Sequence, residues 1–199
     1  MAEPISPHAS HQFDRCAGHL ALDFANALGS RHTDSPIEYL PTYAALVGFA
    51  RQCELLPSAQ LNRLEKRVAL DPAAAEVARR EAVELREALY RMFAALAERR
   101  AVAPADLDVL NRAVARLRVG RDLEWEWAAP DALDCLLGPI VRAALELVMS
   151  PERERIRICA ARDCVWVFLD TSKNHSRRWC DMKQCGNRNK VRRFYQRQR

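Results

Sequence analysis

Four cysteines near the C-terminal end constrain this chain more than any other feature: Cys159, Cys164, Cys180 and Cys185. They form two Cys-x4-Cys pairs separated by fifteen residues. Two equal pairs, each on a tight turn, can aim four sulfurs at one tetrahedral centre at about 2.3 Å per bond, the geometry of structural zinc. Four sulfur ligands leave no open coordination position, so the expected cofactor is one structural Zn²⁺. Rival readings are a redox-sensing thiol cluster and a site in which His175 replaces one sulfur. Cys16, Cys53 and Cys135 are scattered singly and read as small buried apolar side chains. Seven thiols in a chain read as cytoplasmic make disulfides the weaker account.

Charge divides the chain at the same place. Residues 151–199 hold fourteen Lys or Arg against five Asp or Glu, a balance of +9. The preceding 150 residues hold seventeen against twenty-one, a balance of −4. So basic a segment of some fifty residues buries too little apolar surface to fold alone. A structural zinc ion supplies folding free energy on the order of 10 kcal/mol. The expected division is therefore a helical domain over residues 1–150 and a four-cysteine finger over residues 151–199.

Apolar periodicity makes the first part mainly α-helical. Helices are expected over residues 19–28, 42–55, 58–70, 73–99, from 104 onward, and 130–149, the last kinked or interrupted at Gly138-Pro139. Ser58 is read as a helix cap, and Asp71-Pro72 as a cap with proline at the first helical position. Trp125 and Trp127 alternate with Glu124 and Glu126, which marks a minor strand element with one wet face. No phosphate-cradling glycine loop, nucleophile elbow or paired-histidine motif occurs there, so no enzymatic activity is expected. His19 and Asp23, one helical turn apart, read first as a local hydrogen-bonding pair. The helical part leaves room for a small-molecule effector. No apolar stretch approaches the roughly 18 residues of a membrane helix. The opening MAEPISPHASHQFDR has neither a basic start nor an apolar centre, and reads as a loose leader of a cytoplasmic protein.

Within the finger, Ile156 and Ile158 open a strand into Cys159, and residues 165–169 form a second strand bearing Trp166 and Phe168. Together with a C-terminal helix this gives a β-hairpin and helix of zinc-ribbon or treble-clef type. Gly186 is expected to turn sharply with positive φ, and Asn187 to cap the last helix. Val191, Phe194 and Tyr195 share one face of that helix, available to pack on Trp166 or Trp179. Between Lys173 and Arg199 stand ten basic residues and one acidic residue. A surface this cationic suits phosphate backbones. Arg188, Arg192 and Arg193 are the first candidates for nucleic-acid contacts, with Arg177, Arg178 and Lys190 next. DNA is favoured over RNA as the partner, and a homodimer would let so small a finger read a longer site. Alternatives are RNA binding by exposed Phe194 and Tyr195, a protein-interaction module, or a ligand-binding body with a purely structural finger.

The string Trp179-Cys180-x4-Cys185-Gly186-Asn187-Arg188, preceded by Cys159-x4-Cys164 and FLDTSKNHSRRW, resembles the CGNR zinc-finger family of bacterial proteins. HLALDFANAL and AVELREALYRMF are similar to the helical ABATE domain that precedes the finger there, with Ala27 where a threonine is expected. The resemblance implies zinc on the four cysteines, and a role in nucleic-acid binding and stress-induced transcription control.

Overall fold

The computed structural model describes residues 12–197, apart from the side chains of Arg193 and Arg197. The body begins with α1 (Leu20–Ala25), a short helix that stops because Asn26 turns out of it, sending Leu28 into a two-residue strand, β1 (Leu28–Gly29). The longer helix expected over residues 19–28 is therefore not formed. β1 pairs antiparallel with β2 (Ile37–Glu38). Next come α2 (Tyr43–Gln52), capped by the Thr42 hydroxyl, and α3 (Ser58–Leu70). Ser58 is the first helical residue and makes no side-chain cap, because Pro57 occupies the cap position. Asp71 does cap α4 (Pro72–Ala97), accepting from Ala74 N–H at 2.9 Å with Pro72 at the first turn.

α5 (Pro104–Val114) lies against α4, and the ribbon β3 (Leu117–Val119) with β4 (Trp125–Trp127) follows. The last body helix, α6 (Gly138–Met149), starts where a kink was expected. Pro139 sits in its first turn, where the missing N–H is no loss, and a single 3₁₀ turn over Cys135–Leu137 leads in. On α4, Ala75, Ala78, Ala82, Leu85, Leu89, Met92 and Phe93 are buried, while Val77 is exposed. Phe24, Phe49 and Phe13 pack edge to face, with centroids 5.1 and 5.5 Å apart. Phe13 thus belongs to the core and not to a loose leader; residues 1–11 of that expectation lie outside the described residues.

One polar cluster ties the body's elements together. Arg86 is buried, donating to both Glu38 oxygens at 2.5 and 2.8 Å, to Glu87 at 2.8 Å and to Ala27 O at 2.8 Å. It thereby ties β1 and β2 to α4. Burial works against the charges on Glu38 and Glu87, yet their hydrogen bonds to arginine outweigh it and hold both carboxyls below the ordinary range. Arg31 joins the same cluster through Glu87 at 2.5 Å, its guanidinium 3.9 Å from the Tyr90 ring centroid.

The finger opens with β5 (Ile156–Ile158) paired antiparallel to β6 (Val167–Leu169), as the alternation predicted. Ile156, Val167, Phe168 and Leu169 are buried in one continuous core with the body helices. The chain is mainly α, with small strand pairs and a C-terminal cysteine cluster.

Candidate metal centre and basic surface

Cys159 follows β5 directly, and its N–H donates to Trp166 O at 2.8 Å, extending the hairpin to the first ligand. The chain then turns so that Cys164 N–H reaches Ala161 O at 3.1 Å. The second pair sits on a different device. Met182–Gly186 forms a wide π-type turn, started by Asp181, whose carboxylate accepts from Lys183 N–H at 2.7 Å. Gly186 N–H closes it on Asp181 O at 3.0 Å. The turn runs straight into α7 (Asn187–Arg197).

This corrects two expectations. Asn187 already has helical dihedrals, φ −66° and ψ −44°, so it is not a cap; Asp181 does that work one turn earlier. Gly186 has no positive φ. A Cβ there would instead stand 2.5 Å from Met182 Sδ, so glycine makes room for a side chain folding back over the turn.

The two turns bring all four cysteine sulfurs within 4.8 Å of one another, three of the four residues being buried. Cys164 and Cys180 Sγ are 3.7 Å apart, and Cys180 and Cys185 Sγ 3.6 Å. Ligands about 2.3 Å from a tetrahedral centre are separated by about 3.8 Å, so this cage fits zinc. Hydrogen bonding among the sulfurs lowers the Cys159 thiol and raises those of Cys164 and Cys180, and a divalent ion among them would favour the thiolate form of all four. Second contacts brace the cage: Cys180 N–H reaches Cys159 Sγ at 3.5 Å, and the Arg188 guanidinium reaches Cys185 Sγ at 3.2 Å. His175, exposed with φ 49°, is not part of the cluster.

Family models place both parts of the chain. One described as "Putative stress-induced transcription regulator", the ABATE family, matches residues 18–151. The chain belongs to the ABATE family. The CGNR zinc finger matches residues 155–198 of this ABATE chain. Together with the converging sulfurs, that makes the centre a structural site for one Zn²⁺ held by Cys159, Cys164, Cys180 and Cys185. No curated protein matches the chain.

The finger is joined to the ABATE body by hydrogen bonds that sequence patterns do not reveal. Buried Asn26 acts as a short strand: its Nδ2 donates to Val167 O at 2.8 Å, and its Oδ1 accepts from Val167 N–H at 3.0 Å. Leu169 N–H donates to Ala17 O at 2.8 Å, Tyr90 Oη to Val165 O at 2.9 Å, and Trp166 Nε1 to Leu28 O at 3.3 Å. Trp166 is thereby hydrogen-bonded to the body. Buried Asp170 organises the loop beyond β6. Burial opposes its charge, but bonds from Ser172 and the Arg177 N–H prevail and hold the carboxyl below its usual value.

The predicted contact residues are distributed unevenly. Arg177 faces inward: its guanidinium donates to the carbonyls of Cys16 at 2.8 Å, Trp179 at 2.9 Å and Leu169 at 3.3 Å, and also to Cys180 O. It lies 4.7 Å from the Phe168 ring centroid. It clamps together the segment at Cys16, the hairpin and the metal turn. Arg178 is exposed beside Trp179. Arg188 and Arg192 both reach Asp163 at 3.4 Å, in a partly exposed triad, and Lys190 is exposed. The Arg193 side chain lies outside the described ones. Val191, Phe194 and Tyr195 are each more than half exposed, so the aromatic face of α7 is not packed as expected.

His19 and Asp23 hold local structure. His19 caps α1 through Nδ1 to Ala21 N–H at 3.3 Å, and Asp23 accepts from Ala17 N–H at 2.9 Å. Burial raises the Asp23 carboxyl to about 6. No helix among the described residues is long and apolar enough to cross a membrane.

Proposed function

We propose that the chain is a cytoplasmic, zinc-dependent nucleic-acid-binding regulator that acts by binding and not by catalysis, with duplex DNA as its partner. One observation carries this reading. The π turn holding Cys185 continues directly into α7, so the ion fixes the start of a helix that carries Arg188 and Arg192 on the side facing Asp163 and exposed Lys190 on another. Arg178 and Lys183 are exposed beside it. Asp163 bridges Arg188 and Arg192 only loosely, at 3.4 Å, and a phosphate can take its place. Placing cations on a metal-braced helix favours phosphate binding by counterion release, and the ABATE and CGNR matches agree with it.

Exposed Phe194 and Tyr195 favour a second reading, in which unpaired strands, RNA included, stack on α7. Gel-shift titrations of the zinc-loaded chain against duplex DNA, single-stranded DNA and RNA, across a salt series, separate the two. Duplex binding is expected to be tightest, to weaken steeply with salt, and to disappear with a zinc chelator. Replacing Arg188 and Arg192 by Ala should flatten the salt slope by about two phosphate contacts' worth. Affinity for every nucleic acid that is indifferent to chelator and to both substitutions would remove the proposal.

A further inference from the structure

A cleft of about 530 Å³ opens in the helical body, and none of the residues lining it belongs to the finger. Its size lies within the roughly 300–1,000 Å³ typical of small-molecule sites. Trp125 and Trp127, two apart on β4, present their indoles on the same side of the ribbon into this space. Trp127 is buried. A Cβ on Gly138 would stand 3.3 Å from its Cε3, so the start of α6 presses closely on the ring. Trp125 is 46% exposed, an indole left half in water at the mouth. Leu55 and Leu56, from the α2–α3 connection, complete the apolar wall.

The polar groups are few and lean one way. Arg118 is matched by Glu126 at 3.2 Å across the ribbon. Among the described residues, Arg142 has only the exposed i,i+4 ion pair with Glu146, at 3.4 Å, and Glu146 does not line the cleft. Cys135 on the floor is kept neutral, because burial lifts its thiol to about 11. Gln60 has its amide fixed by donation to Pro130 O at 2.9 Å. The cleft therefore offers a planar aromatic platform, an apolar wall and one guanidinium in excess. A guanidinium takes a carboxylate in a two-pronged fork, and flat rings stack on indole.

We propose that this cleft binds a planar aromatic monocarboxylate, its ring against Trp125 and Trp127 and its carboxylate on Arg142. The assignment stands independently of what the finger binds.

Isothermal titration of the full, zinc-loaded chain tests it with three ligands of one shape: 2-naphthoate, neutral 2-naphthylmethanol and cationic 2-naphthylmethylammonium. Saturable one-site binding is expected, with naphthoate at least tenfold tighter than the alcohol and the cation weakest. Arg142→Gln should erase the preference for the carboxylate while leaving the alcohol's affinity within about twofold. Trp125→Ala should weaken both by about tenfold. Both side chains are substantially exposed, so equal melting temperatures will show that the variants keep the fold. Equal affinity for all three ligands, binding that does not saturate, or either variant behaving as the parent overturns the assignment.

Discussion

At the residue scale, Arg86 is the side chain whose loss should hurt the body most. Removing it strips Glu38 of its two-pronged guanidinium partner, while Glu87 keeps Arg31. Arg86→Ala should lower the unfolding free energy by about 2–3 kcal/mol, below the full effect of orphaning a buried charge because Glu38 is partly exposed, measurable by urea unfolding. Asp23 makes the opposite kind of contribution. Its folded carboxyl lies near 6, above the ordinary 3.8, so its ionised form is tolerated less in the fold than in the unfolded chain. Its contribution to stability is therefore full below about 3.8 and is lost as pH rises through about 6. Asp23→Asn, which keeps an acceptor for Ala17 N–H, should remove that slope and stabilise the protein at pH 7 by up to about 3 kcal/mol, seen as a flatter plot of melting temperature against pH. The cysteine ligands were legible in the sequence because spacing alone encodes them. Arg86, Asn26 and Arg177 were not, because a sequence shows a charge or an amide without showing what it will face.

At the scale of elements, periodicity located the helices and both finger strands, and it failed where a local competitor intervened. Asn26 ends α1 early because its side chain is needed by β6. The predicted cap at Asn187 moved to Asp181 because the metal turn is wound as the helix's own first turn. Asn26 also carries a test of the seam between β6 and the body. Asn26→Ala leaves a buried N–H and a buried C=O of Val167 unpaired, at about 1–3 kcal/mol each. Asn26→Asp restores the acceptor but turns a second oxygen toward Val167 O, and should be no better than alanine. Chemical unfolding of the two variants side by side checks both statements.

At the scale of the whole molecule, charge suggested an acidic body with a basic appendage, yet the hairpin that carries the first zinc ligand is part of the common core. Composition records where charge lies along the chain and not which apolar residues meet in space. Ile156, Val167, Phe168 and Leu169 are few, but all are buried. Zinc removal should therefore lower the melting temperature of the helical signal as well as that of the finger. Far-ultraviolet circular dichroism with and without chelator is expected to show one transition shifted downward. A body transition left in place, with only the tryptophan signal lost, would mean that the two parts melt separately.

Arg177 draws together the backbone before α1, the end of β6 and the turn carrying Cys180. Such a knot makes the C-terminal piece hard to transplant. A chimera that kept residues 151–199 and replaced everything upstream would deprive this guanidinium of its Cys16 carbonyl and leave the oily side of the hairpin bare. Lineages exchanging their tips by recombination would have to carry the matching stretch ahead of α1 along with them.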